Sequence, residues 1–136
     1  MLVEWTEDLV LGVEKMDSTH REFVERLNAL GVALDQTLLA GLDAFIGHTV
    51  EHFEQERRWM ESMEFPPTHC HKEEHDGVLA IMREVRSMVA EGKFELGRVL
   101  VRELAPWFTH HAATMDAALA LYIKANGIDT ESVPTA

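Results

Sequence analysis

Three pairs of imidazole and carboxylate side chains recur at about one helical turn along this chain: His52 with Glu56, His71 with His75, and His111 with Asp116. Residues four apart stand one above the other on a helix, so the first two pairs can act together only if their segments are helical. A further histidine, His20, stands alone near the start. The apolar residues around all four groups keep the same period, and no alternating strand pattern competes with it.

The first helix is expected from about residue 17, where Thr19 and Glu22 have capping-box spacing and Asp17 or Ser18 could serve instead. Its stripe reads Phe23, Leu27, Leu30, Leu34 and Leu38, closed by Ala40 and Gly41. A second helix over residues 42–63 turns Phe45, Thr49, His52, Glu56, Met60 and Met63 inward, and Pro66-Pro67 forces a turn. A third, from about residue 69 to the pair Glu91-Gly92, carries His75, Val78, Met82, Val85 and Val89. The fourth spans residues 94–125, with Leu100, Leu104, Trp107, His111, Met115 and Tyr122 inward. Pro106 is expected to kink it, and Asn126-Gly127 is a helix stop. Residues 1–17 read as an arm anchored by Trp5, 18–127 as the domain, and 128–136 as a loose tail.

Four helices with short connections predict an all-α, up-down-up-down antiparallel four-helix bundle. At about 1.5 Å of rise per residue, His20, Glu56, the His71–His75 pair and the His111–Asp116 pair then fall at one end of it. Imidazole and carboxylate are ligands for iron, zinc and manganese, so the convergence predicts a metal site. In a regular α-helix, His111 and Asp116 are about 140° apart, which suits a carboxylate that bridges to a second metal. Five imidazoles, two bridging carboxylates and one bridging hydroxide fall one donor short of filling two six-coordinate ions. The unfilled position is where a small ligand could bind.

Charge excludes other classes. Twelve Lys and Arg against 24 Asp and Glu give a net charge of -12, which repels nucleic-acid backbones and anionic membranes. No apolar run is long enough to span a bilayer, and MLVEWTEDLV has no basic leader region. The single Cys70 excludes an internal disulfide and fits a reducing compartment, so a cytoplasmic location is expected.

The set His20, His52-x3-Glu56, His71-x3-His75 and His111-x4-Asp116 resembles the single-domain bacterial hemerythrins. Trp5, Gly12, Asp17-x2-His20, Phe53, Phe65-Pro66 and Trp107 support the resemblance over roughly residues 5–125. The resemblance implies two irons with a bridging oxo or hydroxo group, and a reduced form that binds O2. It places His71, His75 and His111 on one iron, His20 and His52 on the other, and Glu56 and Asp116 between them. Departures from the family pattern are Arg57, where a second acid often stands, His48, where an aromatic residue is frequent, and Phe65 in place of tyrosine. His48 lies one turn from His52. It either faces inward near the site, where it would favour oxidation of the oxygenated form, or faces solvent.

The leading function is therefore reversible O2 binding for carriage, storage or buffering, with no enzymatic activity. The alternative is a sensor of O2, nitric oxide or redox state acting on a protein partner, against which the lack of an appended domain argues. A peroxide- or nitric-oxide-processing enzyme is a weaker third. The expected ligands are O2, nitric oxide and azide-like anions. His71-Lys72-Glu73-Glu74-His75 also matches an inverted zinc-peptidase motif, but that reading leaves His20, His52 and His111 unexplained. Ferritin-like di-iron oxidases would need Glu-x-x-His pairs that this chain lacks. Cys70 reads as a partly buried thiol, His69 and His110 as non-ligands, and Met60, Met63, Met82 and Met115 as core filling.

Overall fold

The computed structural model describes residues 1–130. A single 3-10 turn, Glu7–Leu9, precedes four long helical segments. These are α1 (Glu14–Gly31), α2 (Asp35–Ser62), α3 (Thr68–Ala90) and α4 (Phe94–His111). A π-helical turn, Ala112–Asp116, joins α4 to α5 (Ala117–Asn126). Helix α2 packs on α1 and α3, and α4 packs on α3 and α1, which closes the antiparallel four-helix bundle. No helix among the described residues is long and apolar enough to cross a membrane.

Helix α1 starts at Glu14 rather than near Asp17. Asp17 does not cap it. Its carboxylate accepts the backbone N–H groups of Leu11 and Gly12 at 2.8 and 3.1 Å, tying the arm back onto the helix. Gly12 supplies the positive φ of 86° that this reversal needs. Further out, Asn28 accepts the N–H groups of Leu2 and Val3 and donates to the Val3 carbonyl, and Arg21 lies 5.1 Å over Trp5.

The boundary between the first two helices also differs from the sequence expectation. Helix α1 ends at Gly31, and α2 begins at Asp35, seven residues before the expected residue 42. Leu34, expected inward, is extended and 62% exposed, whereas Leu38 is fully buried as part of α2. Arg98 of α4 holds the connection by donating to the Ala33 carbonyl at 3.0 Å and to the Asp35 carboxylate. Gly41 ends no helix. A Cβ on it would meet Leu30 Cδ2 at 2.9 Å, so its missing side chain lets α2 pass close to α1.

Pro106 sits inside α4, which continues through it, and the departure from α winding comes later, at the π turn. Gly127 ends α5 in the left-handed conformation at φ 62°, as Asn126-Gly127 suggested. Of the expected tail, Ile128 packs on α5's buried face and Thr130 accepts a bond from Trp59 Nε1 at 3.3 Å, while 131–136 lie outside the described residues.

Two apolar clusters divide the interior. The larger holds Phe23, Leu27, Leu42, Phe45, Met82, Leu104 and Phe108. The smaller, toward the α2–α3 turn, holds Met16, Trp59, Met60, Phe65, Leu119 and Ile123. Met16 precedes His20 by one turn, Met60 follows Glu56 by one, and Phe23 follows His20 by three residues. The polar layer therefore lies between the two clusters.

Candidate metal centre

The seven residues singled out from the sequence converge in that layer. His20 comes from α1, His52 and Glu56 from α2, His71 and His75 from α3, His111 from the end of α4, and Asp116 from the end of the π turn. All are buried, from 0% exposure for His20 and Glu56 to 5% for His52. Each imidazole turns Nε2 toward the centre.

The carboxylates divide their oxygens between two groups of histidines. Glu56 Oε1 lies 3.1 Å from His71 Nε2 and 3.5 Å from His75 Nε2. Its Oε2 lies 2.8 Å from His52 Nε2 and 3.6 Å from His20 Nε2. Asp116 Oδ1 lies 3.1 Å from His71 Nε2 and 3.2 Å from His111 Nε2, and its Oδ2 lies 3.0 Å from His20 Nε2. One group of potential metal ligands thus gathers Glu56, His71, His75, His111 and Asp116, and a second gathers His20, His52 and Glu56, with Glu56 in both.

The winding of the His111–Asp116 segment corrects the sequence argument. The separation of about 140° holds only for regular α winding. Ala112–Asp116 is a π turn, which closes on the fifth residue instead of the fourth. Asp116 therefore returns to the face of His111, one π turn along, much as Glu56 lies one α turn from His52. The case for two metals then rests on the divided carboxylate oxygens instead of the angle.

Protons alone satisfy this cluster poorly. Both nitrogens of His20, Nδ1 of His52 and Oδ1 of Asp116 are buried without a well-aligned hydrogen bond, although charged partners stand within salt-bridge distance. His75 Nε2 and His111 Nε2 face each other at 3.1 Å, where only one can carry a proton. Atoms that converge on one another without donors between them are what a shared cation satisfies. The titration of the groups points the same way. Burial pulls the His20 imidazole down, but the Asp116 and Glu56 carboxylates together outweigh it and raise it to about 10. His71, likewise opposed by burial, is raised to about 9 by the same two carboxylates. Burial, helped by the neighbouring His71 and His111, pushes His75 down to about 3. Burial works to raise Glu56 and Asp116, yet the surrounding imidazoles hold both well below the ordinary carboxylate range. The carboxylates that raise His20 and His71 thus favour positive charge at this centre.

Aromatic rings shape the surroundings. Phe53 stacks on His75 with centroids 3.7 Å apart and planes 2° apart, and Trp107 lies parallel to His111 at 4.8 Å and 12°. Phe108 meets His20 edge-on at 5.4 Å. The sequence pattern missed Phe108, which lies on the α4 face one turn beyond Leu104. It also missed Glu74, whose Oε1 lies 2.8 Å from His111 Nδ1. The only signal for Glu74 was its place in the peptidase-like motif. There it would act as a base, whereas here it faces the His111 imidazole of the next helix.

The remaining histidines stay apart from the centre. His69 is exposed and pairs with Glu73 at 2.9 Å, and His110 is exposed. Cys70, expected to be partly buried, is exposed, because one residue before the inward His71 is about 100° around the helix. His48 lies between its two alternatives. It is 16% exposed, pairs with Glu22 at 3.2 Å, and lines a cleft of about 460 Å³ together with His52, Gln55 and Arg58. Burial and Arg26 hold its pKa below the ordinary value. Arg57 turns outward to Glu54 and Glu61. Among the methionines, Met60 and Met82 are fully buried, while Met63 and Met115 are half-buried.

Residues 11–122 match the hemerythrin HHE cation binding domain. The chain belongs to the hemerythrin family. It is 44% identical to a bacteriohemerythrin of Ralstonia nicotianae over 94% of this chain and 93% of that protein. A bacteriohemerythrin of Stenotrophomonas maltophilia is 30% identical over 92% of this chain and 84% of its own. One of Aquifex aeolicus is 30% identical over 77% and 85%. Hemerythrin membership carries cation binding with it, and the buried histidine–carboxylate cluster fits a non-heme iron centre.

Proposed function

We propose that this chain holds two iron ions and binds O2 reversibly, as a carrier, store or buffer of oxygen and not as an enzyme. The observation that carries the reading is the division of the two carboxylates. Glu56 and Asp116 each give one oxygen to the group containing His71 and the other toward His20. In this reading His71, His75 and His111 would hold one iron, His20 and His52 would hold the other, and Glu56 and Asp116 would be shared between them. The second group has one imidazole fewer, so a coordination position stays free there for a small ligand. When bound, the irons supply the electrons that O2 takes up on binding and returns on release.

The chain's own residues keep that exchange reversible. Two buried carboxylates offset much of the metals' charge, so the pair can stay in an interior that otherwise penalises ions. Phe108 stands against His20 and stacks on Phe23 at 4.7 Å, while Met16 and Met60, both at 0% exposure, close the opposite side. On these two sides the apolar surround keeps water and proton donors away from bound oxygen, whereas the cleft at His48 and His52 leaves a third side polar.

The test is an anaerobic optical titration of the reduced protein with O2, paired with metal analysis. Two irons per chain, a visible charge-transfer spectrum on oxygenation and its loss on deoxygenation are expected. One zinc and no iron, or irreversible oxidation at the first addition of O2, would refute the reading.

A further inference from the structure

The imidazole of His111 has close polar neighbours at both nitrogens. Its Nε2 faces the centre, 3.2 Å from Asp116 Oδ1 and 3.1 Å from His75 Nε2. Its Nδ1 lies 2.8 Å from Glu74 Oε1, a contact between α3 and α4. Among the described residues no other imidazole of the centre has a carboxylate at Nδ1, and the Nδ1 atoms of His20 and His52 are buried without any hydrogen bond. Trp107, parallel to the His111 ring, limits its tilt.

We propose that Glu74 is a positioning residue that fixes the tautomer and aim of His111 and strengthens that imidazole as a donor to the bound ion. A carboxylate only accepts, so His111 Nδ1 must donate. That leaves the Nε2 lone pair directed at the centre before any metal arrives. The negative charge behind the ring also pushes electron density toward Nε2, which favours a more highly charged ion in front of it. Glu74 immediately precedes His75, so a single turn of α3 supplies one ligand and orients the ligand facing it. The Glu74 side chain is itself 32% exposed, so the carboxylate stands between the buried imidazole and solvent. The effect on potential rests on the iron reading above. The effect on positioning does not.

The test compares Glu74→Gln, Glu74→Ala and, as control, Glu73→Gln, whose side chain is 67% exposed and faces His69. Each protein is loaded anaerobically with ferrous iron and, separately, with cobalt(II) alone. Metal release to a chelator, midpoint potential and the melting temperature of the metal-free form are read. The metal-free melting temperature should stay near wild type in Glu74→Gln and Glu73→Gln and fall by a few degrees in Glu74→Ala, which leaves the buried His111 Nδ1 without an acceptor. Glu74→Ala should release either metal at least tenfold faster than wild type, within the range seen when such partners of metal-bound histidines are removed. Glu74→Gln keeps an acceptor oxygen but loses the charge. It should lose about tenfold of the ferric over ferrous preference, a rise in potential of about 59 mV. Glu73→Gln should change nothing. Unchanged release by Glu74→Ala, or an unchanged potential in Glu74→Gln, overturns the assignment. A wild-type protein that takes up no iron would overturn the proposed function, and cobalt release would still decide the positioning role.

Discussion

Deleting Thr114 is expected to leave the candidate metal centre intact, although it shortens the segment between His111 and Asp116. In wild type, His111 and Asp116 share a face because the five residues Ala112–Asp116 wind as one π turn. Without Thr114 the spacing becomes four, and an α-helix brings residues four apart to within about 40° of each other, at a rise of about 6 Å. The shortened segment can therefore wind as ordinary α-helix and still present Asp116 beside His111. The phase of α5 is kept as well, so Leu119, Ala120 and Ile123 stay in the smaller apolar cluster. Thr114 is exposed, and its hydroxyl bonds only the His110 carbonyl. The stability change should stay within about 1–2 kcal/mol, the ordering cost of one residue. Deleting the exposed Ala118 instead is expected to be damaging. If the π turn persists, everything after it rotates by about 100° and Leu119 and Ile123 leave their cluster. That costs about 3–6 kcal/mol out of a total stability of about 5–15 kcal/mol. If the π turn relaxes to restore the cluster, Asp116 swings about 140° from His111 and leaves the centre. Iron per chain and thermal melting of the two deletion proteins distinguish these outcomes. Loss of iron from the Thr114 deletion with helix content preserved, or full iron and stability in the Ala118 deletion, would refute the reasoning.

Glu56→Gln should keep the bundle but bind iron poorly, because it removes one of two buried negative charges and one of the two oxygens shared between the histidine groups while keeping the side chain's shape. Full iron content with an unchanged spectrum would show that Glu56 does not bridge. Glycine replacements should differ in sign: Gly47→Ala and Gly77→Ala meet nothing within 4 Å and should each stabilise by about 0.5–1 kcal/mol in chemical denaturation. Gly97→Ala should destabilise by about 1–3 kcal/mol, since its Cβ would meet Val89 Cγ2 at 2.7 Å and Leu38 Cδ2 at 3.1 Å. The metal-free protein should lose stability on both sides of neutrality. His20 and His71, raised to about 10 and about 9, contribute fully below their ordinary pKa of 6.5 and lose that contribution as pH rises through those values. Glu56 and Asp116, held below their ordinary 4.5 and 3.8, lose theirs as pH falls beneath that range. Iron in place of the protons should remove the alkaline loss, and equal alkaline unfolding of the two forms would count against that exchange.

The sequence by itself determined the bundle, and it singled out the seven residues that the fold gathers at its middle. Apolar steps of three and four, Pro66-Pro67 and Asn126-Gly127 act within a turn or two of themselves, so a one-dimensional pattern carries them. His-x3-Glu and His-x3-His are legible for the same reason, because four residues make one turn wherever a helix is regular. What the pattern could not carry were features set by contacts between helices. The first connection falls at residues 32–34 because Arg98, more than sixty residues away, holds Ala33 and Asp35. Gly41 marks no helix end but the point inside α2 where Leu30 of α1 packs closest. Asp17 is drawn off its expected cap by the arm folding back on it. Glu74 became visible as a partner of His111 only once α3 and α4 were side by side. The π turn depended most on the assembled fold. His111-x4-Asp116 reads as two faces under α winding, and only the demand that both side chains reach one buried centre, with α5 still in register on its own cluster, selects the wider turn.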